Sequence, residues 1–255
     1  NEITKQGLPL PVLKLADYNN GQLSQLNLKE LRILWQSTFE SIQEILATAL
    51  PDITLFTPSL YADDEAKKVI LQRDYPDCKS VSLDSYDTTD SLPLKVSRHF
   101  AKGGTEYLGI GPRPYADSLP QQVAMVKEEV SEHPIVLLED DTFSGGTLRS
   151  VIELLQEAGL RVQAVLAGTQ ASNIAAIAEV PIRVLHKYEA EEVLDIIDPR
   201  DFIVGLPDSG LVIEDSEQLF RAPYMLPWVN ITKRASIPPQ RALAVSEKLL
   251  ALHLS

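Results

Sequence analysis

Ile135-Val136-Leu137-Leu138-Glu139-Asp140-Asp141-Thr142-Phe143-Ser144-Gly145-Gly146-Thr147-Leu148 decides the fold of this chain. Its four leading apolar residues form an unbroken run, the pattern of a strand covered on both faces in a parallel sheet. Leu148 to Ala158 continues as an amphipathic helix that Gly159 should stop. The strand therefore delivers carboxylates to the carboxyl edge of a sheet, where ligands of open α/β folds bind. The chain then turns through Ser-Gly-Gly-Thr into a helix. Glycines let a ligand approach the backbone, and the first helical turn offers unpaired N–H groups with a favourable dipole. Ser144 and Thr147 add hydroxyls, which completes a phosphate cradle. Carboxylates so close to that cradle would repel phosphate, but they suit sugar hydroxyls. A ribose carrying a 5-phosphate presents both groups at this separation.

The flanking sequence supports a parallel sheet. Val162 to Leu166 and Ile182 to Leu185 read as the next strands, with a helix through Ile174 to Ala178 between them. Strand, helix, strand, helix, strand is the α/β pattern. Upstream, Leu119 to Glu132 reads as a helix, and Gly103 to Pro120, with four Gly and three Pro, as a long loop or hairpin. Ile53 to Phe56 reads as a short strand ending in Thr57-Pro58-Ser59, and Glu65 to Gln72 as a helix. Asp74 to Pro93 is polar and weakly periodic, and carries no assignment. Leu31, Leu34, Trp35, Phe39, Ile42 and Ile45 recur at helical steps, predicting a helix over Leu28 to Leu50 behind an extended arm. Beyond residue 200, Phe202-Ile203-Val204 and Leu211-Val212-Ile213 read as a strand pair around Leu206-Pro207-Asp208-Ser209-Gly210. A Pro- and aromatic-rich stretch and a helix over Arg241 to Leu252 follow. The expected organisation is an arm and helix over 1–50, a core over 51–200 and an extension over 201–255.

Composition narrows the partners. The formal net charge of −13 disfavours nucleic acid, whose binding needs Lys and Arg against phosphate. No apolar run approaches the roughly 18 residues that span a bilayer, and the first residues lack a signal-peptide pattern. The single cysteine, Cys78, fits a reducing compartment, so a cytoplasmic location is expected. There is no Gly-Lys-Ser/Thr, so the glycine loop is not a Walker A site. His133 and His186 stand singly, without partners at zinc-ligand spacing.

Four apolar residues, an acidic pair, two spacers and a small-residue loop with Gly and Thr resemble the motif by which type I phosphoribosyltransferases bind 5-phosphoribosyl-1-pyrophosphate (PRPP). The resemblance covers about fourteen residues. It implies a parallel sheet flanked by helices and assigns Glu139 and Asp140 as the catalytic acidic pair on the ribose hydroxyls. Phe143, Ser144, Gly145, Gly146 and Thr147 then form the 5-phosphate loop. A one-residue shift would make Asp140 and Asp141 the pair. Asp141 and Thr142 stand where the family has aliphatic spacers, and Phe143 where purine-salvage members carry an acid, which argues against hypoxanthine or guanine as acceptor.

The resemblance further implies Mg²⁺ carried with PRPP, transfer to a nitrogen acceptor, pyrophosphate release, a place in nucleotide metabolism and a homodimer. The alternatives are a non-catalytic PRPP-binding regulator of the same fold and a ribose-phosphate phosphorylase. Lys102 and Arg113, with Lys95, Arg98 and His99 nearby, are either cations for the pyrophosphate or a solvated face; Thr57 and Ser59 occupy a plausible place for the pyrophosphate loop. Tyr224 and Trp228 offer a hood over the acceptor or part of a packed tail.

Overall fold

The computed structural model describes residues 28–49, 60–83, 89–102, 104–170, 174–188, 199–203, 210–216, 218–226, 229 and 237–254. The chain divides into two compact units, one of residues 58–99 and 108–194, the other of 1–57, 100–107 and 195–255.

The first unit holds the motif. Its helices are α2 (Leu60–Asp74), α3 (Leu119–Val130) and α4 (Gly146–Glu157), after α1 (Leu28–Ala49) in the other unit. Its strands are β1 (Lys79–Ser82), β2 (Leu92–Pro93), β5 (Ile135–Thr142), β6 (Val162–Gln170), β7 (Ala176–Ile177) and β8 (Val180–Lys187). Strands β3 (Val96–Ala101) and β4 (Tyr107–Pro112) run from one unit into the other. The six-stranded sheet is ordered β2-β1-β5-β6-β8-β7. Every neighbouring pair is parallel except β7 and β8, which form an antiparallel hairpin.

The sheet is covered on both faces, which explains the apolar run. Ile135 to Leu138 are all 0% exposed. Leu137, Val81 and Val165 pack with Val123, Val126 and Val130 of α3 and with Val151, Ile152 and Leu155 of α4. Val136, Leu138 and Leu166 pack on the opposite side with Ile70 of α2. Leu148, Val151, Ile152 and Leu155 lie at three- and four-residue steps, so α4 buries one stripe. Each such side chain contributes about 1.5–3 kcal/mol by leaving water. At the helix end, Gly159 has φ +81°, and the Leu160 N–H donates back to the Leu155 carbonyl, as the sequence predicts.

The other unit has a core of its own. Ile42 and Leu46 of α1, Phe100, Phe202, Leu211, Met225, Ile237, and Val245 and Leu249 of the final helix α5 (Pro239–Leu254) are buried together. Strands β9 (Leu211–Asp215) and β10 (Gln218–Ala222) pair antiparallel.

Several expectations need correction. Ile174 to Ala178 is not a helix: Ala176 and Ile177 are β7, and Ala178 and Glu179 turn the hairpin with φ +48° and +65°. Five residues are too few to distinguish the two periods, and a two-residue hairpin turn with positive φ at both positions matches the strand twist. Phe202 lies in a 3-10 turn (Pro199–Phe202), so Leu211–Asp215 pairs with Gln218–Ala222 instead. The stretch over Gly103 to Pro120 contains strand β4, and the unassigned stretch over Asp74 to Pro93 contains β1 and β2. Of the two readings of Tyr224, the packed one holds: it is a core residue, its ring edge-on to Phe202 at 5.6 Å. The expected strand over Ile53 to Phe56, along with Val204, Trp228, Thr57 and Ser59, lies outside the described residues.

Candidate functional site

The sheet order fixes where a ligand belongs. From β1 the chain leaves outward to β2, whereas β5 starts the opposite wing. The order reverses between β1 and β5, and open α/β sheets bind ligands outside the carboxyl ends of the strands at such a switch point. Lys79 to Ser82 pair with Ile135 to Leu138, so the carboxyl end of β1 adjoins the Glu139-Asp140-Asp141 run on β5.

Strand β5 extends through Thr142, four residues beyond the apolar run. Strand alternation therefore puts Glu139 and Asp141 on the side of Leu137, and Asp140 and Thr142 on the side of Leu138. The three acids are half-buried. The Glu139 carboxylate accepts from the Asp140 N–H at 3.3 Å, and the Asp140 carboxylate from the Asp141 N–H at 2.7 Å. Asp141 stands level with Thr169 of β6, and Thr169 level with His186 of β8.

The loop then turns into α4 through Gly145, which caps the helix at φ +69°. A Cβ there would be strained by that backbone and would collide with Ile177 of the β7–β8 hairpin. Ser144 and Phe143 are exposed, the latter 45%, and Thr147 is half-buried. Gly146, Thr147 and Leu148 begin the helix, where backbone N–H groups lack intrahelical acceptors and the dipole favours an anion. The structure thus brings Glu139, Asp140 and Phe143 to Thr147 together in one strand–loop–helix unit.

The candidate cations part company. Arg113 is in the same unit as the motif, and its guanidinium donates to the Leu83 carbonyl at 2.8 Å and the Val96 carbonyl at 3.0 Å. Leu83 directly follows β1, so a fixed positive charge stands at the β1 side of the switch point. Lys102 belongs to the other unit, where its ammonium donates to Asp215 at 2.8 Å. That bond raises the Lys102 pKa and lowers that of Asp215.

Two further residues bear on the carboxyl edge. Asp63 of α2 is 4% exposed and accepts through Oδ1 from His186 Nε2 at 2.8 Å, while its Oδ2 is buried without a hydrogen-bond partner. Gly168 makes room for it: a Cβ there would lie 2.6 Å from the Asp140 carbonyl oxygen and 3.0 Å from Asp63 Oδ2. Sequence spacing gave no sign of this pair, because the two residues are 123 positions apart.

A separate open cavity of about 520 Å³ lies near the amino ends of β1, β5 and β6, away from this edge, lined among others by Cys78, His133 and Arg161. Burial pushes the Cys78 thiol up, so it is a poor thiolate nucleophile there. Among the described residues, no group of three or more His, Cys, Asp or Glu converges to hold a metal ion, and no helix is long and apolar enough to cross a membrane.

No protein-family model matches the chain, and no curated protein matches it. Among solved structures it is similar to an adenine phosphoribosyltransferase from Rhodothermus marinus, at 14% identity and a TM-score of 0.33, over 51% of this chain and 79% of that one. It is also similar to a hypoxanthine phosphoribosyltransferase from Staphylococcus aureus in two crystal forms. The tetragonal form matches at 16% identity and a TM-score of 0.29, over 59% of this chain and 74% of that one. The orthorhombic form matches at 14% identity and a TM-score of 0.32, over 55% and 80%.

Proposed function

We propose that the chain binds PRPP at the carboxyl edge of β1 and β5 and transfers its 5-phosphoribosyl group to a nitrogen acceptor, releasing pyrophosphate. The observation that carries this reading is the acid run of β5 leading through left-handed Gly145 into the amino end of α4, at the switch point of the sheet. The N–H groups of Gly146 and Thr147, with the Ser144 and Thr147 hydroxyls, would anchor the 5-phosphate. Two of Glu139, Asp140 and Asp141 would accept hydrogen bonds from the ribose hydroxyls.

Mg²⁺ carried with PRPP would, when bound, supply positive charge against the charge growing on the pyrophosphate. The chain's own contribution is to fix the sugar and phosphate so that the acceptor nitrogen meets C1 in line. Arg113 would add a preorganised positive charge beside the leaving group. Its two carbonyl bonds also favour a second reading, a PRPP-binding protein without turnover, because they occupy donors a leaving group would use.

Calorimetric titration of PRPP with Mg²⁺ into the wild type and into an Asp140→Asn/Ser144→Ala variant tests the site. Micromolar binding, weakened about 10- to 100-fold in the variant by loss of charge-assisted hydrogen bonds, is the expected result. A folded wild type that does not bind PRPP would sink the proposal. Pyrophosphate release with an added acceptor, against binding alone, separates the two readings.

A further inference from the structure

We propose that the open cavity at the amino edge of the six-stranded sheet binds a small zwitterion, a free α-amino acid without an acidic side chain. Its carboxylate would lie on Arg161 and its ammonium on Asp77. The cavity is at the opposite edge from the candidate PRPP site, and the assignment does not rest on the phosphoribosyl-transfer reading.

The cavity is built by the connections that lead into three neighbouring strands, β1, β5 and β6. Tyr75 to Cys78 lead from α2 into β1, Ser131 to Pro134 from α3 into β5, and Arg161 stands between α4 and β6. Backbone hydrogen bonds hold all three. The Cys78 N–H donates to the Tyr75 carbonyl and the His133 N–H to the Val130 carbonyl, both at 3.0 Å. The Lys79 N–H reaches the Pro134 carbonyl and the Ile135 N–H the Arg161 carbonyl, both at 2.9 Å. The His133 ring is fixed as well, since its Nδ1–H donates to the Asp77 carbonyl at 3.0 Å. Walls tied in this way are preformed, so a ligand does not have to order them. The volume of about 520 Å³ lies within the roughly 300–1,000 Å³ of small-molecule sites.

Charge selects the ligand. Asp74, also in the lining, is already bonded to Arg73 and Arg183. Arg161 and Asp77 are not so engaged: among the described residues, neither side chain has an ion pair or a hydrogen bond. Both nonetheless act on one sulfur. Burial is the main cause that raises the Cys78 pKa, while Arg161 draws it down and Asp77 pushes it up. Two opposite charges within reach of one thiol, yet not paired with each other, leave a gap that the carboxylate and ammonium of one small molecule would bridge. The planar guanidinium fork suits a carboxylate. Glu132 is a second acid in the lining and would repel a ligand carrying another carboxylate. Tyr75, Pro76 and Pro134 offer apolar surface to the ligand's side chain.

Cys78 is the single cysteine of the chain, so its alkylation reports on the cavity directly. The full chain is treated with iodoacetamide in the presence of each common amino acid except cysteine, and the adduct is followed by mass spectrometry. At least one amino acid without an acidic side chain should slow alkylation about fivefold or more at about 10 mM, as a millimolar site would. Aspartate and glutamate should not, and neither should acetate or methylamine, each of which supplies half of the zwitterion. Arg161→Gln and Asp77→Asn should each abolish the protection. Both side chains are exposed and make no bonds among the described residues, so the fold should survive either change. Their ligand-free rates check the placement: Arg161→Gln should react more slowly than the wild type and Asp77→Asn faster. Alkylation at one rate with every amino acid would overturn the proposal. Protection by acetate equal to that by the amino acids would overturn it too, because an anion alone would then suffice. Protection retained in both variants would place any ligand elsewhere and have the same result.

Discussion

Gly145 caps α4 directly against Ile177, so the candidate phosphate loop is braced by a hairpin from the far wing of the sheet. Gly145→Ala should cost about 1–2 kcal/mol from the left-handed backbone alone. Ile177 is 2% exposed, and Ile177→Ala should cost about 2–5 kcal/mol as a buried truncation. The double variant should lose less than the sum, because the truncation removes the collision. Urea denaturation of the three variants measures that coupling.

Gly168 is tighter. The Asp140 carbonyl oxygen, 2.6 Å from the site of a Cβ, is backbone on the central strand and cannot swing aside. Gly168→Ala should therefore destabilise by about 1–3 kcal/mol through overpacking. It should also weaken PRPP binding, since the shift falls on the acid run. An alanine variant with wild-type melting temperature and wild-type PRPP affinity would contradict the close packing.

The register of the acidic pair is open to three single substitutions. Glu139→Gln, Asp140→Asn and Asp141→Asn each keep shape and remove charge. The two acids proposed to grip the ribose should each lose about 1.5–3 kcal/mol of PRPP affinity, and the third much less. Calorimetry on the three variants picks out the pair.

Arg113 ties the end of β1 to β3 through the Leu83 and Val96 carbonyls. Arg113→Lys retains the charge but cannot reproduce both bonds from a planar fork. It should lower stability by about 1–2 kcal/mol, and Arg113→Ala by more, because buried carbonyls lose a charged donor. Thermal unfolding at neutral pH reads both values.

Asp74 should leave a signature in acid. It accepts from Arg73 at 2.7 and 2.9 Å and pairs with Arg183, and these bonds, Arg73 first, hold its carboxyl far below the usual range. A depressed folded pKa adds stability that is present above the unfolded value of about 3.9 and lost as pH falls from there toward the folded value. Asp74→Asn should thus lower the urea midpoint at pH 7 and narrow the gap between pH 7 and pH 3. The exposed setting keeps the effect small and salt-sensitive.

The sequence exposed the centre of the fold better than its edges. Ile135 to Leu138 are buried on both faces, so their apolar run announced a central strand, and the stripe of α4 announced its partner helix. Strand β1 was hidden because Lys79-Ser80-Val81-Ser82 has one apolar residue, although it lies beside β5. Its place beside β5 comes from long-range pairing, which no local pattern encodes. The β7–β8 hairpin was misread because Ala178 and Glu179 adopt left-handed backbone without the glycine or asparagine that usually signals it. At the site, Glu139 to Thr147 could be read because strand, loop and helix are contiguous. Asp63, Gly168 and His186 could not, because they meet only once α2, β6 and β8 are assembled.

The core holding α1 imposes an order on synthesis. Ile42 and Leu46 leave the ribosome early, yet the residues that bury them include Val245 and Leu249, about 200 positions later. Arg241 hydrogen-bonds to the Ala49 carbonyl across the same gap. Phe100, Phe202 and Leu211 can cover part of the apolar stripe of α1 earlier, but the cover is complete only when α5 emerges, after residues 58–194 have been made. Translation pauses or loss of the final sixteen-residue helix would leave that stripe open to chaperones and to aggregation, even with the candidate PRPP site fully made.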